Sequence, residues 1–419
     1  MRKYLFFFLI VVLLLTNGVT ALSESEKVRI TAESWQINKI FIEEAAERFM
    51  KDHPKVEVDV ETYAEKSVIS NFAINWMRGE TPVDIAVVGG VQFASQFVAR
   101  DLIYDFNELN FFDEEFSREK FVQVALKDGM LNGRQYVIPL ISEVYAICIN
   151  MEMFRKAGLV DNEGRPLIPA DWNEFYEFAK KLHIEKDGRI VQQGATIQWG
   201  DNMFGVVIAV LQGARGNIYA EDGKNMSFDN PELREILKIW KKGADEGIFS
   251  KETFADLNSG RVSYKAGKVA MLLESASRWL EAEPILGTEN VSVIPIPGTL
   301  ENGSYGFGSG LIIPKCTPAP ELAVQFIKEQ LLSEYVQTST LNEWGKGPVI
   351  ESYYSSADAP EWSIIRDIAA KSVPVPPYKE VGRFSSSIKP IIQRYLSGES
   401  TLEVAINELE KMMGSIDKY

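Results

Sequence analysis

The sequence predicts an α/β fold in more than one domain, on three observations. Stretches with the two-residue alternation of a strand and stretches with the three-to-four-residue spacing of a helix succeed each other along the chain. Asp84-Ile85-Ala86-Val87-Val88 forms a nearly continuous apolar run closed by Gly89-Gly90, as suits a strand covered by helices on both faces. The 419 residues exceed what one core organises, so at roughly 100–200 residues per domain two or three domains are expected.

The elements follow in order. Val28 to Ala32 reads as a first strand. Ile40, Phe41, Ala45 and Phe49 then recur at helical spacing until His53-Pro54, where proline ends the helix. Val56, Val58 and Val60 alternate with Glu57, Asp59 and Glu61, the pattern of a half-buried strand. After a further helix comes the Asp84–Val88 strand. Open α/β sheets bind ligands beyond the C-terminal ends of their strands, so the residues after Ala32 and after Val88 are site candidates. Asp171 and Glu174 have capping-box spacing, and Trp172, Phe175, Phe178, Ala179 and Leu182 form an apolar helical stripe that serves the core. Asn230-Pro231-Glu232 starts another helix with a cap, a proline and an early acid. Leu402, Ala405, Ile406 and Leu409 mark a last amphipathic helix after Thr401. Gly303 to Gly310 is the densest irregular segment, either a flexible turn or a close backbone approach.

Composition narrows the function. A hydrophobic share of 46% and a charged share of 25% are those of a soluble globular chain, which excludes disorder as the main state. A formal net charge of −15 repels phosphate backbones and speaks against nucleic acid as a partner. Two histidines, His53 and His183, and two cysteines, Cys148 and Cys316, supply no His- or Cys-rich metal cluster and little for nucleophilic catalysis. The two cysteines pair or stay free with equal justification from spacing alone. Arg2 and Lys3 precede an apolar run from Tyr4 to Leu15 and a small-residue stretch ending at Ala21, the layout of a cleaved signal peptide. No cysteine follows that run, so a lipoprotein anchor is not indicated. The expected product is an exported protein, periplasmic or extracellular, soluble once residues 1–21 are removed.

No catalytic motif is present. Gly306, Gly308 and Gly310 lack the spacing of a dinucleotide or phosphate loop, and a strand rather than a helix follows them. Asp161-Asn162-Glu163-Gly164 resembles a calcium loop only faintly. What recurs is an aromatic residue beside amides, acids or cations in loops: Trp35-Gln36, Trp199 with Asp201 and Asn202, Arg278-Trp279, and Asn342-Glu343-Trp344 with Lys346. A flat ring stacks on the C–H face of a sugar while neighbouring polar groups take its hydroxyls. Each such aromatic has core packing as its alternative use.

Six blocks in the right order carry a resemblance over nearly the whole chain after the leader. They are Gly79 to Ile85; Asn132 to Pro139 with Glu143, Asn150 and Met153 to Leu159; Asp171 to Glu174; Tyr264 to Met271; Pro295 to Gly298 with the glycine-rich loop and Pro320 to Phe326; and Gly398 to Ala405. In these blocks the chain resembles the sugar-binding group of extracellular solute-binding proteins of ABC importers, the group that includes maltose-binding protein. The resemblance implies a two-lobed periplasmic-binding-protein (Venus-flytrap) fold with hinge crossovers. Lobe 1 would comprise residues 22–140 and 295–338, and lobe 2 residues 141–294 and 339–419.

The resemblance also implies a ligand site in the interlobe cleft. Gly89 and Gln92 fall in the loop after the Asp84 strand, where Gln92 matches a ligand-contacting position. Glu143 matches a hinge-side acid facing the cleft, and Asn202 with its neighbours matches an aromatic-rich ligand loop. The family's stacking tryptophan comes two residues late: the chain reads Glu274-Ser275-Ala276-Ser277-Arg278 before Trp279. Tyr305 and Gly308 lie in the glycine-rich loop, and Arg383-Phe384 falls where a late aromatic meets the ligand. These departures point away from a maltose-like ligand. The implied activity is binding without catalysis and without a cofactor or metal, with delivery of a saccharide to separate permease subunits. One alternative is a receptor for a polyamine or phosphorylated polyol, with Arg278 and Arg383 taking the phosphate. A more distant one is an exported glycoside-acting enzyme using Glu143 with Asp201 or Glu274.

Overall fold

The computed structural model describes residues 26–33, 36–63, 72–220, 225–379 and 381–417. The expected leader and Trp35 lie outside them.

The first lobe is built on a five-stranded sheet. Strand β1 (Glu26–Glu33) leads into the helix Gln36–Asp52 and back to β2 (Val56–Tyr63), which pairs with β1 in parallel register, Val28 opposite Val58. The helix ends where the sequence places its stop, at His53-Pro54. Strand β3 (Ile85–Val88) then pairs with the other edge of β1, and all four of its residues are buried. A small hairpin of β4 (Met130–Leu131) and β5 (Arg134–Gln135) follows, turning at Asn132-Gly133, both with positive φ. Strand β6 (Ile138–Pro139) closes this part of the chain.

The second lobe is built on a larger sheet. It contains β7 (Glu143–Asn150), β8 (Ile184–Lys186), β9 (Arg189–Ile197), β10 (Phe249–Ser250), β11 (Val269–Ser275), β12 (Val291–Ile294) and β13 (Gly306–Phe307). Its central order is β10-β9-β11-β7-β12, with β7 antiparallel to both neighbours. Every residue of β7 and β11 is buried, so apolar side chains on their two faces feed two separate hydrophobic clusters. The helix starts read from sequence are made by side chains. Asn230 Oδ1 accepts from Leu233 N–H at 2.8 Å, and Asp171 Oδ1 from Glu174 N–H at 2.8 Å. The return bond of the second cap goes from Ala170 N–H to Glu174, one residue earlier than a capping box has it.

Strand β14 (Gly310–Ile312) returns to the first sheet between β3 and β6, giving the order β2-β1-β3-β14-β6. The chain therefore passes between the lobes three times. The first passage is Leu140–Ser142, between β6 and β7. The second is Gly308–Ser309, between β13, which pairs with β7, and β14, which pairs with β3. The third follows the helix Glu334–Trp344 at Gly345-Lys346-Gly347, where Gly347 bridges back to Ser142. The glycine-rich segment resolves as close approach. A Cβ on Gly308 would lie 2.0 Å from the carbonyl oxygen of Ile141, and one on Gly306 would lie 2.4 Å from Val124. Neither has a positive φ, so space rather than backbone freedom demands glycine there.

Cys148 is buried in β7, Cys316 is half-buried in the loop after β14, and both thiols are free. No helix among the described residues is long and apolar enough to cross a membrane.

Candidate functional site

The three passages gather polar side chains that neither lobe's core would tolerate alone. On the first-lobe side, Gly90 follows β3 with a φ of 93°, a conformation that costs other residues. Gln92, one turn on, is only 6% exposed. Its Nε2 donates to Gly89 O at 2.9 Å, which turns Oε1 the other way, and that oxygen has no hydrogen-bond partner among the described residues. Asp128, at the end of the helix Gln123–Asp128, is also 6% exposed, and its Oδ1 has no partner either. Both side chains converge on Gly90, whose hypothetical Cβ would sit 2.3 Å from Asp128 and 2.9 Å from Gln92. A cavity of about 10 Å³ lies here, lined by Gly90, Asp128, Pro139, Ile141, Gly308 and Ser309, and so set between the first two passages. Burial alone pushes the Asp128 carboxyl well above the usual carboxylate range.

On the second-lobe side stands an aromatic group. Tyr305 and Phe307 stack at 5.1 Å with an interplanar angle of 12°, and Tyr145 of β7 lies 5.6 and 5.4 Å from them. Phe204, in the first turn of the helix Met203–Arg215, meets Tyr305 edge-on at 5.9 Å. Gly205 permits this approach, since a Cβ there would fall 2.9 Å from the Tyr305 ring. Phe204 and Phe307 are half-buried, whereas Tyr145 and Tyr305 are buried. Asp128 adds to the burial that raises the Tyr305 phenol, so the aromatic group and the unpaired acid belong to one region.

A third group binds the passages together. Glu143 Oε1 accepts from Lys346 Nζ at 2.8 Å, from Ser277 Oγ at 2.7 Å and from Ser275. Burial works to raise the Glu143 pKa, but the charges of Lys346 and Arg278 and the hydrogen bonds from Lys346 and Ser275 outweigh it, holding the carboxyl down at about 2. Beside it, Glu274 is buried at the end of β11 and takes Arg261, Arg278 and Gln198. Arg278 also pairs with Glu281.

These positions sort the residues expected from sequence. Gly89 and Gln92 lie on the first-lobe wall, Tyr305 in the aromatic group, and Gly308 in a passage. Trp344 is half-buried at the end of its helix, beside the third passage. Asn202 caps the helix that carries Phe204 without lending its side chain to the cap. Gln36 begins its helix, and Trp35 is outside the described residues.

Others are placed away from open surface or in contacts within the protein. Trp199 is fully buried against Trp240, Phe249 and Phe254, so it packs the second lobe's core and offers no face to a ligand. Trp279 is buried against Trp362 in the same way. Asp201 is exposed and paired with Lys389 at 2.7 Å. Glu143, Ser277 and Lys346 satisfy one another, and Glu274 and Arg278 form a second internal pair. Arg383 reaches Ser415 of the C-terminal segment at 3.2 Å, while its neighbour Phe384 turns inward onto Phe204 and Tyr378. In the faint calcium loop, Asp161 is occupied by Arg165.

Asp128 is the residue that sequence reasoning missed. Its signal was weak: an acid ending the short apolar stretch Val124-Ala125-Leu126. A buried aspartate needs a partner or a task.

Solved structures share this architecture. The GacH receptor of Streptomyces glaucescens GLA.O superposes with a TM-score of 0.76 at 21% identity, covering 93% of this chain and 99% of its own. The sugar-binding protein MalE of Xanthomonas citri gives 0.77 at 16% identity, covering 92% and 96%. In sequence, the chain is 21% identical to the arabinooligosaccharide-binding protein of Bacillus subtilis over 382 residues, 86% of this chain and 84% of that one. A family description matches across residues 44–367, every strand but β1, and by it the chain belongs to the bacterial extracellular solute-binding proteins.

Proposed function

We propose that this protein is an extracytoplasmic receptor that binds a sugar or oligosaccharide between its two lobes and delivers it to the permease subunits of an ABC importer. The observation that carries the reading is the pairing of half-buried rings, Phe204 and Phe307, with two buried acceptors, Asp128 and Gln92, across the passages between the lobes. Rings take the apolar face of a sugar, and acceptors take its hydroxyls. The sugar ligands named for the similar proteins of Bacillus, Streptomyces and Xanthomonas support it.

In this reading the lobes divide at the passages 140–142, 308–309 and 345–347. A ligand held first by one wall gains the contacts of the other when the lobes close. It stabilises the closed form only by that difference. The reaction is binding without turnover: Glu143, Glu274 and Asp201 are each tied into a separate ion pair, which disfavours an acid–base couple. Export through the leader at residues 1–21 is part of the same proposal.

The test is thermal melting of the mature protein against mono- and oligosaccharides, polyols and polyamines. Ligand at about 100 times its Kd adds roughly 2.7 kcal/mol, a shift of a few degrees. A shift with one saccharide series, the sugar being recovered intact, is expected. A shift with polyamines or phosphorylated polyols alone would favour the other-solute receptor, and release of shorter products would favour an enzyme.

A further inference from the structure

We propose that Asp128 and Gln92 make the buried end of the site a subsite for hydrogen-bond donors, which admits a hydroxyl or ammonium group of a neutral or amine-bearing saccharide and rejects acid sugars. The inference rests on the sugar reading above and adds the charge class of the ligand.

Three observations carry it. First, Asp128 Oδ1 and Gln92 Oε1 are both buried and have no partner among the described residues, and the two side chains meet at Gly90 through Asp128 Oδ2 and Gln92 Oε1. Both are acceptor oxygens, and a buried acceptor without a donor is costly. The Gln92 amide cannot resolve the shortage by turning over, because Oε1 would then face the Gly89 carbonyl oxygen that Nε2 now satisfies. Second, the cavity beside Asp128 and Gly90, about 10 Å³, has the size of a single small polar group, so a group placed there against the carboxyl must bring its own proton. Third, the buried and half-buried cations nearest the passages among the described residues are already committed. Lys346 is bound to Glu143, Arg261 and Arg278 to Glu274, and Arg278 also to Glu281. A carboxylate or phosphate brought to this wall would meet Asp128, while those cations are held by Glu143, Glu274 and Glu281.

The experiment is calorimetric titration of the mature protein and of Asp128→Asn with maltotriose, arabinotriose, mannotriose, glucosamine trimer, trigalacturonate and spermidine. A neutral or amine-bearing trisaccharide is expected to bind at least about a hundredfold more tightly than trigalacturonate. Asp128→Asn replaces half of the acceptor pair by a donor, so it should narrow that ratio at least about tenfold while keeping the melting temperature at or above wild type. Equal binding of trigalacturonate and neutral trisaccharides, or an unchanged ratio in Asp128→Asn, overturns the donor subsite and leaves the sugar receptor standing. Binding of spermidine alone, lost in Asp128→Asn, keeps the donor subsite and overturns the sugar reading. No binding across the panel overturns both. Gln92→Met provides a second variant that removes an acceptor without touching the acid; it should weaken the neutral sugar about tenfold, and an unaltered affinity counts against the proposal.

Discussion

Lys346 donates to Glu143 at 2.8 Å, and the two residues flank different passages between the lobes. Glu143 opens β7 just after the first passage, and Lys346 sits within the third. The bridge between Ser142 and Gly347 runs beside them. An ion pair only 2–3% exposed thus fastens two connections at the base of the cleft.

Removing one partner strands the other as a buried charge. Lys346→Met and Glu143→Gln should each lower stability by about 3–5 kcal/mol. The doubly substituted protein should lose less than the sum. Urea unfolding of the four proteins in a double-mutant cycle measures the coupling; strictly additive losses would contradict the pairing.

The same pair sets an acid limit. The Glu143 pKa, about 2, lies below the ordinary glutamate value of about 4.3. Its contribution to stability is therefore full above the unfolded value and is lost as pH falls through about 2. Melting temperature should drop on acidification from pH 5 to pH 2, and less steeply in Glu143→Gln.

Asp128 has the opposite sign. Its folded pKa is raised by burial, so it is harmless to stability below its unfolded value, and the fold loses stability as pH rises through the folded value. Asp128→Asn should melt higher than wild type at pH 8 and alike at pH 4. A variant that melts lower at both would mean that the carboxylate has a partner.

Rings on the two sides of the sorting above should separate stability from binding. Trp199→Ala empties a fully buried site and should cost about 3–5 kcal/mol. Phe307→Ala, half-buried beside Tyr305, should cost less stability and weaken the bound saccharide at least tenfold, about 1.4 kcal/mol. Titration and denaturation of both variants check this.

Gly308→Ala places a methyl 2.0 Å from a backbone carbonyl in the neighbouring passage. Backbone cannot swing aside as a long side chain would. A loss of about 1–3 kcal/mol is expected, and the same substitution at Gly133, which has nothing within 4 Å but a φ of 78°, should cost by strain instead. Equal melting of wild type and Gly308→Ala would show that the passages have room to spare.

The sequence by itself determined the alternating strands and helices, their capped starts at Asp171, Asn230 and Thr401, and the family. These are set by neighbours within a few residues: a strand's period, a cap's hydroxyl, amide or carboxylate, or a proline's missing N–H. The order of blocks added the two-lobed plan, because each block marks a local turn or strand edge. Tertiary structure decided which polar groups stand at the candidate site. Trp199 and Trp344 look alike in sequence, each an aromatic among polar neighbours, but helix packing closes over the first and leaves the second at a passage. Glu143 and Asp128 are both buried acids. One received Lys346 from a segment 203 residues away, and the other received no such partner. Pairing at that distance depends on how the two sheets are joined, and no local pattern encodes it.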